Sequence, residues 1–349
     1  MGKFKTGSSI ILIMKEYNNL VKDIKNKKFL PVYFLQGDEP FYIDKLTELL
    51  EENVLKEEEK AFNQNIIYGT ESDLDQIISL AKQFPMGADK QLIIIKEAKG
   101  LPFDKSEAFD NYIKNPQPST VLVINYKYKS LDKRKSVAKL LSKQGYIFTS
   151  EKLYDNQVPT WIGSLCQSNG LEIDEKSRIL LAEFLGTELS RIDNEIQKLK
   201  LIVGNSKKIT PEIIERNIGI SKEYNNFELR KAIVEKNTKQ AYKIIDYFEK
   251  NPKANPIVLT FGTLISLFSN ILIVHTLPIK TPQNIAKELR INPFFANEYL
   301  TAIKNYSLKK TTACIAYLRD ADMKSKGVDV SSHATSKDIL MEMLYKILH

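Results

Sequence analysis

Short apolar runs alternate with amphipathic stretches over the first 150 residues. The runs are rich in β-branched and aromatic residues and lie at about 31–35, 65–68, 92–95, 121–125 and 146–149. Runs of that length and composition predict buried strands, and the apolar residues between them recur at helical spacing. Strands that alternate with helices form a mostly parallel sheet covered on both faces. We therefore predict an α/β domain built on a doubly wound, parallel five-stranded sheet.

After residue 150 the strand pattern stops and helical periodicity continues to the end. Thr210-Pro211 has the cap and the first-position proline of a helix start. The apolar window from Ile257 to Leu277 contains serines, threonines, Asn270 and His275, which favours a buried bundle helix over a membrane span. The predicted division is a tail or start-site extension at 1–13, the α/β domain at 14–150, a small all-α domain at 151–220 and a second helical domain at 221–349.

Composition narrows the class of protein. The 349 residues, 43% hydrophobic and 27% charged, are ordinary for a globular protein with two or three cores. Cys166 and Cys314 lie far apart and the three histidines are scattered, which predicts neither a disulfide framework nor a metal site. The formal net charge is +8, and residues 220–349 carry 19 basic and 12 acidic side chains. A basic end permits a nucleic-acid partner.

The turn after the first predicted strand is where nucleotide-binding folds place their phosphate loop. It offers one glycine, Gly37, followed by Asp38 and Glu39, and no Gly-Lys-Ser/Thr follows. A phosphate cradle needs several glycines, a lysine and a hydroxyl for Mg²⁺. The fourth strand runs into Asn125 instead of the acidic pair of an ATPase. We predict no nucleotide hydrolysis and no cofactor. The alternatives are a βα turn without nucleotide ancestry and an active ATPase with an unusual site.

An apolar cluster, Phe84-Pro85-Met86, lies in the predicted connection before the third strand, where polar residues are expected. In one interpretation Phe84 and Met86 fold back into the core of the sheet. In the other they form an exposed hydrophobic plug for a partner's pocket, with Leu80 beside them.

A basic segment follows the fourth strand. Its candidates for contact with nucleic acid are Lys127, Lys129, Lys133, Arg134 and Lys135. The segment is either the solvated face of a helix predicted over 132–144 or a surface that follows a DNA backbone. Tyr126 and Tyr128 alternate with the lysines, which is weak support for base stacking.

Several stretches together resemble one family, the delta subunit of the bacterial DNA polymerase III clamp loader. They are PVYFLQGDEPFYIDK, FPMGADKQLIIIKEA, ELSRIDNEIQKLKLIVG, ITPEIIERNIG, FELRKAIVEKNTKQAYKII, INPFFANEYLTAIKNYS and LRDADMKSKG. The resemblance covers residues 15–348. It departs from the family at Gly87, where many members have an aromatic residue directly after the apolar cluster.

The resemblance implies a RecA-like AAA+ domain without ATPase residues, a helical lid and a helical collar that oligomerises. It implies a cytoplasmic bacterial protein at replication forks on the nucleoid, within the DNA-directed DNA polymerase (nucleotidyltransferase) holoenzyme. The first implied partner is the sliding clamp (beta subunit), which would be bound through Phe84, Pro85 and Met86. The ATPase and delta-prime-like subunits of the loader would be bound through the collar. Primed DNA is the third implied partner, and no membrane is implied. The alternative function is a non-catalytic AAA+-like DNA-binding scaffold, based on the basic C-terminal third.

Overall fold

The chain forms two compact units, Met1–Leu153 and Tyr154–His349, in a computed structural model. The structure describes residues 8–218, 221, 223–253, 255–289, 291, 295–329 and 335–349. The division of the helical part at residue 220 stays a prediction.

The first unit is built on a parallel five-stranded sheet, which confirms the predicted fold class. Its strands are β1 (Val32–Gly37), β2 (Gln64–Tyr68), β3 (Gln91–Lys96), β4 (Thr120–Lys127) and β5 (Ile147–Ser150). The spatial order is β2-β3-β4-β1-β5. Because β1 lies between β4 and β5 while the chain continues from it to β2 at the far edge, the connections cover both faces of the sheet.

Helices connect the strands as the periodicity predicts. They are α1 (Ser8–Lys25), α2 (Pro40–Asn53), α3 (Glu57–Asn63), α4 (Leu74–Ala81), α5 (Glu107–Lys114) and α6 (Ser136–Gln144). The Asp73 carboxylate accepts hydrogen bonds from the backbone N–H groups of Asp75 and Gln76, so it caps α4. The predicted tail at 1–13 overlaps the first helix, which begins at Ser8 and buries Ile13.

One face of the sheet packs on α4, α5 and α6. Apolar side chains of β1, β3 and β4 on that face form a core with the buried side chains of the helices. Phe34 and Phe103 pack edge to face there, with ring centroids 5.3 Å apart. Tyr126 lies in the same aromatic cluster, 5.4 Å from Phe34. The long apolar strands of a parallel sheet are therefore buried as their composition predicts.

The second unit begins with α7 (Val158–Ser168), α8 (Glu175–Leu185), α9 (Leu189–Val203) and α10 (Pro211–Ile218). The all-α prediction missed a small parallel pair of strands, β6 (Glu172–Ile173) and β7 (Lys208–Ile209). Strands of two residues are too short to produce the alternation that identifies a strand in sequence.

The remaining helices share one apolar core. They are α11 (Asn226–Val234), α12 (Thr238–Lys250), α13 (Ile257–Thr276), α14 (Pro282–Leu289), α15 (Ala296–Asn305), α16 (Leu308–Ser325) and α17 (Ser336–Leu348). By length and composition α13 could cross a membrane. It packs instead as the predicted bundle helix, with Phe261, Leu264, Leu267 and Phe268 in the core.

Candidate partner-binding site

The loop between α4 and β3 exposes its apolar residues. Phe84 is 80% exposed and Met86 is 69% exposed, while Pro85 and Leu80 are half-buried. Leu80 packs against the core of the sheet. The interpretation in which Phe84 and Met86 fold back into the core is therefore wrong. Large, adaptable side chains that are exposed to water, such as these two, are typical of surfaces that contact a partner protein.

A buried side chain holds the second half of this loop. Asn63, at the end of α3, accepts a hydrogen bond from the backbone N–H of Met86 at 2.6 Å through its Oδ1. The Asn63 Nδ2 group donates to the Met86 carbonyl at 3.1 Å. Asn63 is only 2% exposed, so the side-chain partner of both bonds is shielded from water. The Met86 backbone is thereby fixed while its side chain stays in solvent.

A second amide holds the first half of the loop. The buried Gln91 side chain, at the start of β3, donates to the Gln83 carbonyl at 2.6 Å. Thr120 lies 2.8 Å from the same amide nitrogen and donates its own hydroxyl to the Ala81 carbonyl at 2.8 Å. Phe84 thus lies between two anchored points. A contact surface that is already ordered loses less conformational entropy when it binds.

Gly87 closes the loop with a left-handed backbone, at φ +65°. A Cβ atom there would meet nothing within 4 Å, so only the backbone conformation favours glycine. An aromatic residue at this position would have to adopt a strained backbone or change the turn. The departure from the family pattern is therefore matched to the local geometry of this chain.

The turn after β1 lies at the carboxyl ends of the strands, whereas the loop before β3 lies at their amino ends, because all strands of a parallel sheet run in the same direction. Its backbone donors have partners within the chain. The Gly37 N–H donates to the Lys129 carbonyl at 3.0 Å, and the Glu39 N–H donates to the Ser150 carbonyl at 3.3 Å. A Cβ atom on Gly37 would lie 1.9 Å from the Ser150 carbonyl oxygen. In a phosphate loop such N–H groups point at the ligand instead.

The end of β4 is also filled by internal contacts. The Thr47 hydroxyl lies 2.9 Å from the Asn125 side-chain oxygen, in a buried pair. Lys127 forms an ion pair with Asp44 of α2. In the part of the chain that the structure describes, no group of three or more histidine, cysteine, aspartate or glutamate side chains could hold a metal ion.

The helix predicted over 132–144 forms, but it begins later than predicted, because α6 starts at Ser136. Lys133, Arg134 and Lys135 lie in the turn before it. The Arg134 guanidinium donates to both carboxylate oxygens of Asp132 at 2.7–3.1 Å, which lowers the pKa of that carboxyl to about 2. Lys135 lies 3.5 Å from Asp104. These carboxylates neutralise part of the positive charge that the sequence pattern suggested. The partners of Lys127 and Lys135 come from distant parts of the sequence.

The two tyrosines of this segment have different surroundings. Tyr126 is 4% exposed and belongs to the core, with Lys129 5.6 Å above its ring. Tyr128 is 66% exposed and has a positive φ of 58°. Only Tyr128 could stack on a base, which weakens the interpretation of the segment as a nucleic-acid surface.

The sheet order β2-β3-β4-β1-β5 and the helical second unit define an α/β protein with a RecA-like parallel sheet followed by a helical region. The family model for "DNA polymerase III, delta subunit" matches residues 33–151, and the model for "DNA polymerase III delta subunit, C-terminal domain" matches residues 223–345. The chain belongs to the DNA polymerase III delta subunit family, whose members act in clamp loading during DNA replication.

Two relatives illustrate the similarity. DNA polymerase III subunit delta of Bacillus subtilis (strain 168) is 26% identical over 337 residues, which cover 92% of this chain and 94% of the relative. The solved structure of the Bacillus subtilis DNA clamp loader delta protein has a TM-score of 0.60 and 24% identity, and the match covers 95% of this chain and 99% of that one. The structural likeness supports the fold.

Proposed function

We propose that this chain binds the sliding clamp through Phe84 and Met86 and opens one interface of the ring. The supporting observation is the exposure of both side chains on a loop whose backbone Asn63 and Gln91 hold. Aromatic and methionine side chains that are ordered before binding are the usual anchors of an interface. The clamp is proposed as the partner because members of this family act in clamp loading.

The chain acts without hydrolysing ATP. The N–H groups of Gly37 and Glu39 already donate to carbonyls of the chain, and Asn125 bonds to Thr47 where an ATPase has acids. Opening then requires only that the chain binds the open ring more tightly than the closed one, which shifts the population toward open. Hydrolysis in partner subunits gates release.

The helical second unit joins the chain to the ATPase and delta-prime-like subunits of the loader, in the bacterial cytoplasm at replication forks. Exposed apolar residues on α13 support this assignment: Val258 is 62%, Leu259 is 52% and Ile273 is 45% exposed. Such a face on a helix without Asp, Glu, Lys or Arg suits a packed protein interface better than free solvent.

Primed DNA reaches this chain within the assembled loader. The candidates with no carboxylate partner among the described residues are Lys129 and Lys133, which lie between β4 and α6. The alternative of a DNA-binding scaffold, which is based on the basic C-terminal third, has less support, because Lys250, Lys324, Lys337 and Lys346 each lie within 4.0 Å of a carboxylate.

The test is a calorimetric titration of the purified chain with the sliding clamp of its own organism, without nucleotide. Wild type is expected to form a stable complex, and Phe84→Ala/Met86→Ala is expected to weaken it by at least about a hundredfold. Leu201→Ala is the matched control, because Leu201 is 84% exposed in the other unit. Equal affinity of the double variant and the control would refute the assignment.

A further inference from the structure

Phe62 is a large apolar side chain that the proposed contact leaves unused. It lies next to the end of α3 and is 71% exposed. Single exposed apolar residues are common on protein surfaces, so exposure alone carries no conclusion. The position of Phe62 in the fold is the informative feature.

Phe62 lies at the same edge of the sheet as the apolar loop. The next residue, Asn63, is the one that hydrogen-bonds to both backbone polar groups of Met86. Gln64 of β2 pairs in register with Leu92 of β3, so the two strands begin side by side. Phe62 and Met86 therefore lie on either side of the two hydrogen bonds of Asn63, near the starts of β2 and β3.

The backbone around Phe62 is fixed before any partner arrives. At the start of α3 the Lys56 N–H donates to the Glu59 carboxylate at 2.9 Å. At the other end the Asn63 amide donates to the Glu59 carbonyl at 3.1 Å as well as to Met86. A side chain on a short helix held at both ends is a rigid anchor of the kind that dominates interfaces.

We propose that Phe62 is a third apolar anchor of the clamp-binding surface, beside Phe84 and Met86. This inference rests on the proposed function. Phe62 occupies an apolar patch of the clamp next to the pocket that receives the loop. The three side chains together make a broader contact, held in register by Asn63.

The test is the same nucleotide-free titration with two single variants. Phe62→Ala is expected to raise the Kd for the clamp about tenfold. Tyr68→Ala is the matched control, because Tyr68 is an aromatic residue 50% exposed at the opposite end of β2. Its Kd is expected to equal that of wild type. Phe62→Lys is expected to weaken binding more than Phe62→Ala, since it would bury an unpaired charge.

The outcomes separate this inference from the proposed function. If Phe62→Ala and Phe62→Lys bind as tightly as wild type while Phe84→Ala/Met86→Ala loses affinity, the inference fails and the proposed function stands. If wild type does not bind the clamp, both fail. Thermal unfolding monitored by circular dichroism is expected to be the same for wild type and Phe62→Ala, because the side chain is exposed. A loss of affinity accompanied by a lower Tm would assign Phe62 a structural role and overturn the inference.

Discussion

The side chain of Asn63 hydrogen-bonds to both backbone polar groups of Met86, 23 residues further along the chain. The bonds join the end of α3 to the loop before β3. A surface loop would ordinarily sample several conformations, and this pair selects one. The apolar side chains on the loop are thereby presented to a partner at little further entropic cost.

Replacing Asn63 with alanine removes both bonds at once. Two partly buried hydrogen bonds of Met86, each worth about 0.5–1.5 kcal/mol, are lost, so the free energy of unfolding is expected to fall by about 1–3 kcal/mol. Clamp affinity is expected to fall about tenfold as the loop loses its order. Urea unfolding and calorimetry measure the two effects. Asn217→Ala is the control, because its amide donates only to the Ile213 carbonyl on an exposed helix surface. A clamp Kd for Asn63→Ala equal to that of wild type would show that the loop needs no such anchor.

Alanine substitutions at Gly87 and Gly262 are expected to change the free energy of unfolding in opposite directions. A Cβ atom meets nothing within 4 Å at either position, but Gly87 has φ +65° and Gly262 lies inside α13. Gly87→Ala is expected to lower the free energy of unfolding by about 1 kcal/mol, because an L side chain is strained in the left-handed region. Gly262→Ala is expected to raise it by about 0.5–1 kcal/mol through helix propensity. Denaturant titrations test both values, and a shift of the same sign in the two variants would contradict the argument.

The two cysteines are expected to be unreactive in the folded protein. Burial raises the pKa of the Cys166 thiol to about 12 and that of Cys314 to about 11. At pH 8 neither is a thiolate, which is the reactive form. Ellman's reagent is expected to modify no thiol in native buffer and two in denaturant. Rapid modification under native conditions would show that one of these cores opens locally.

The same shifts determine how stability depends on pH. The folded state favours the protonated thiols, whose pKa values exceed the ordinary value of 9.0. Their contribution is complete below pH 9 and is lost as the pH rises toward the folded values, because only the unfolded chain then releases protons. The free energy of unfolding is therefore expected to decline above about pH 9, and less steeply in Cys166→Ala/Cys314→Ala.

The regular part of the fold could be predicted from periodicity. Long apolar strands such as β3 and β4 are unambiguous. So are helix starts marked by a capping residue such as Asp73 or by a first-position proline such as Pro211. The strand order could not be predicted, because nothing in a single strand's composition identifies its neighbour. The pair of β6 and β7 was too short to detect.

The candidate site was located by sequence, but its geometry was not. The sequence left two interpretations of Phe84 and Met86 open, because apolar residues in a connection suit a core as well as a partner. Exposure decided between them. Asn63 and Gln91 were missed, since a buried amide that binds a distant backbone leaves no periodic signal. The free positive charge of the basic segment was overestimated, because its partners Asp44 and Asp104 come from other parts of the sequence.

We propose that this chain opens the sliding clamp through its apolar loop without ATP. The most direct measurement places a donor and an acceptor dye across one interface of the ring and follows energy transfer on addition of the chain, with no nucleotide present. Wild type is expected to reduce energy transfer, and Phe84→Ala/Met86→Ala is expected to leave it unchanged at the same concentration. Unchanged transfer with wild type at saturating clamp binding, or an equal reduction by the double variant, would contradict the account.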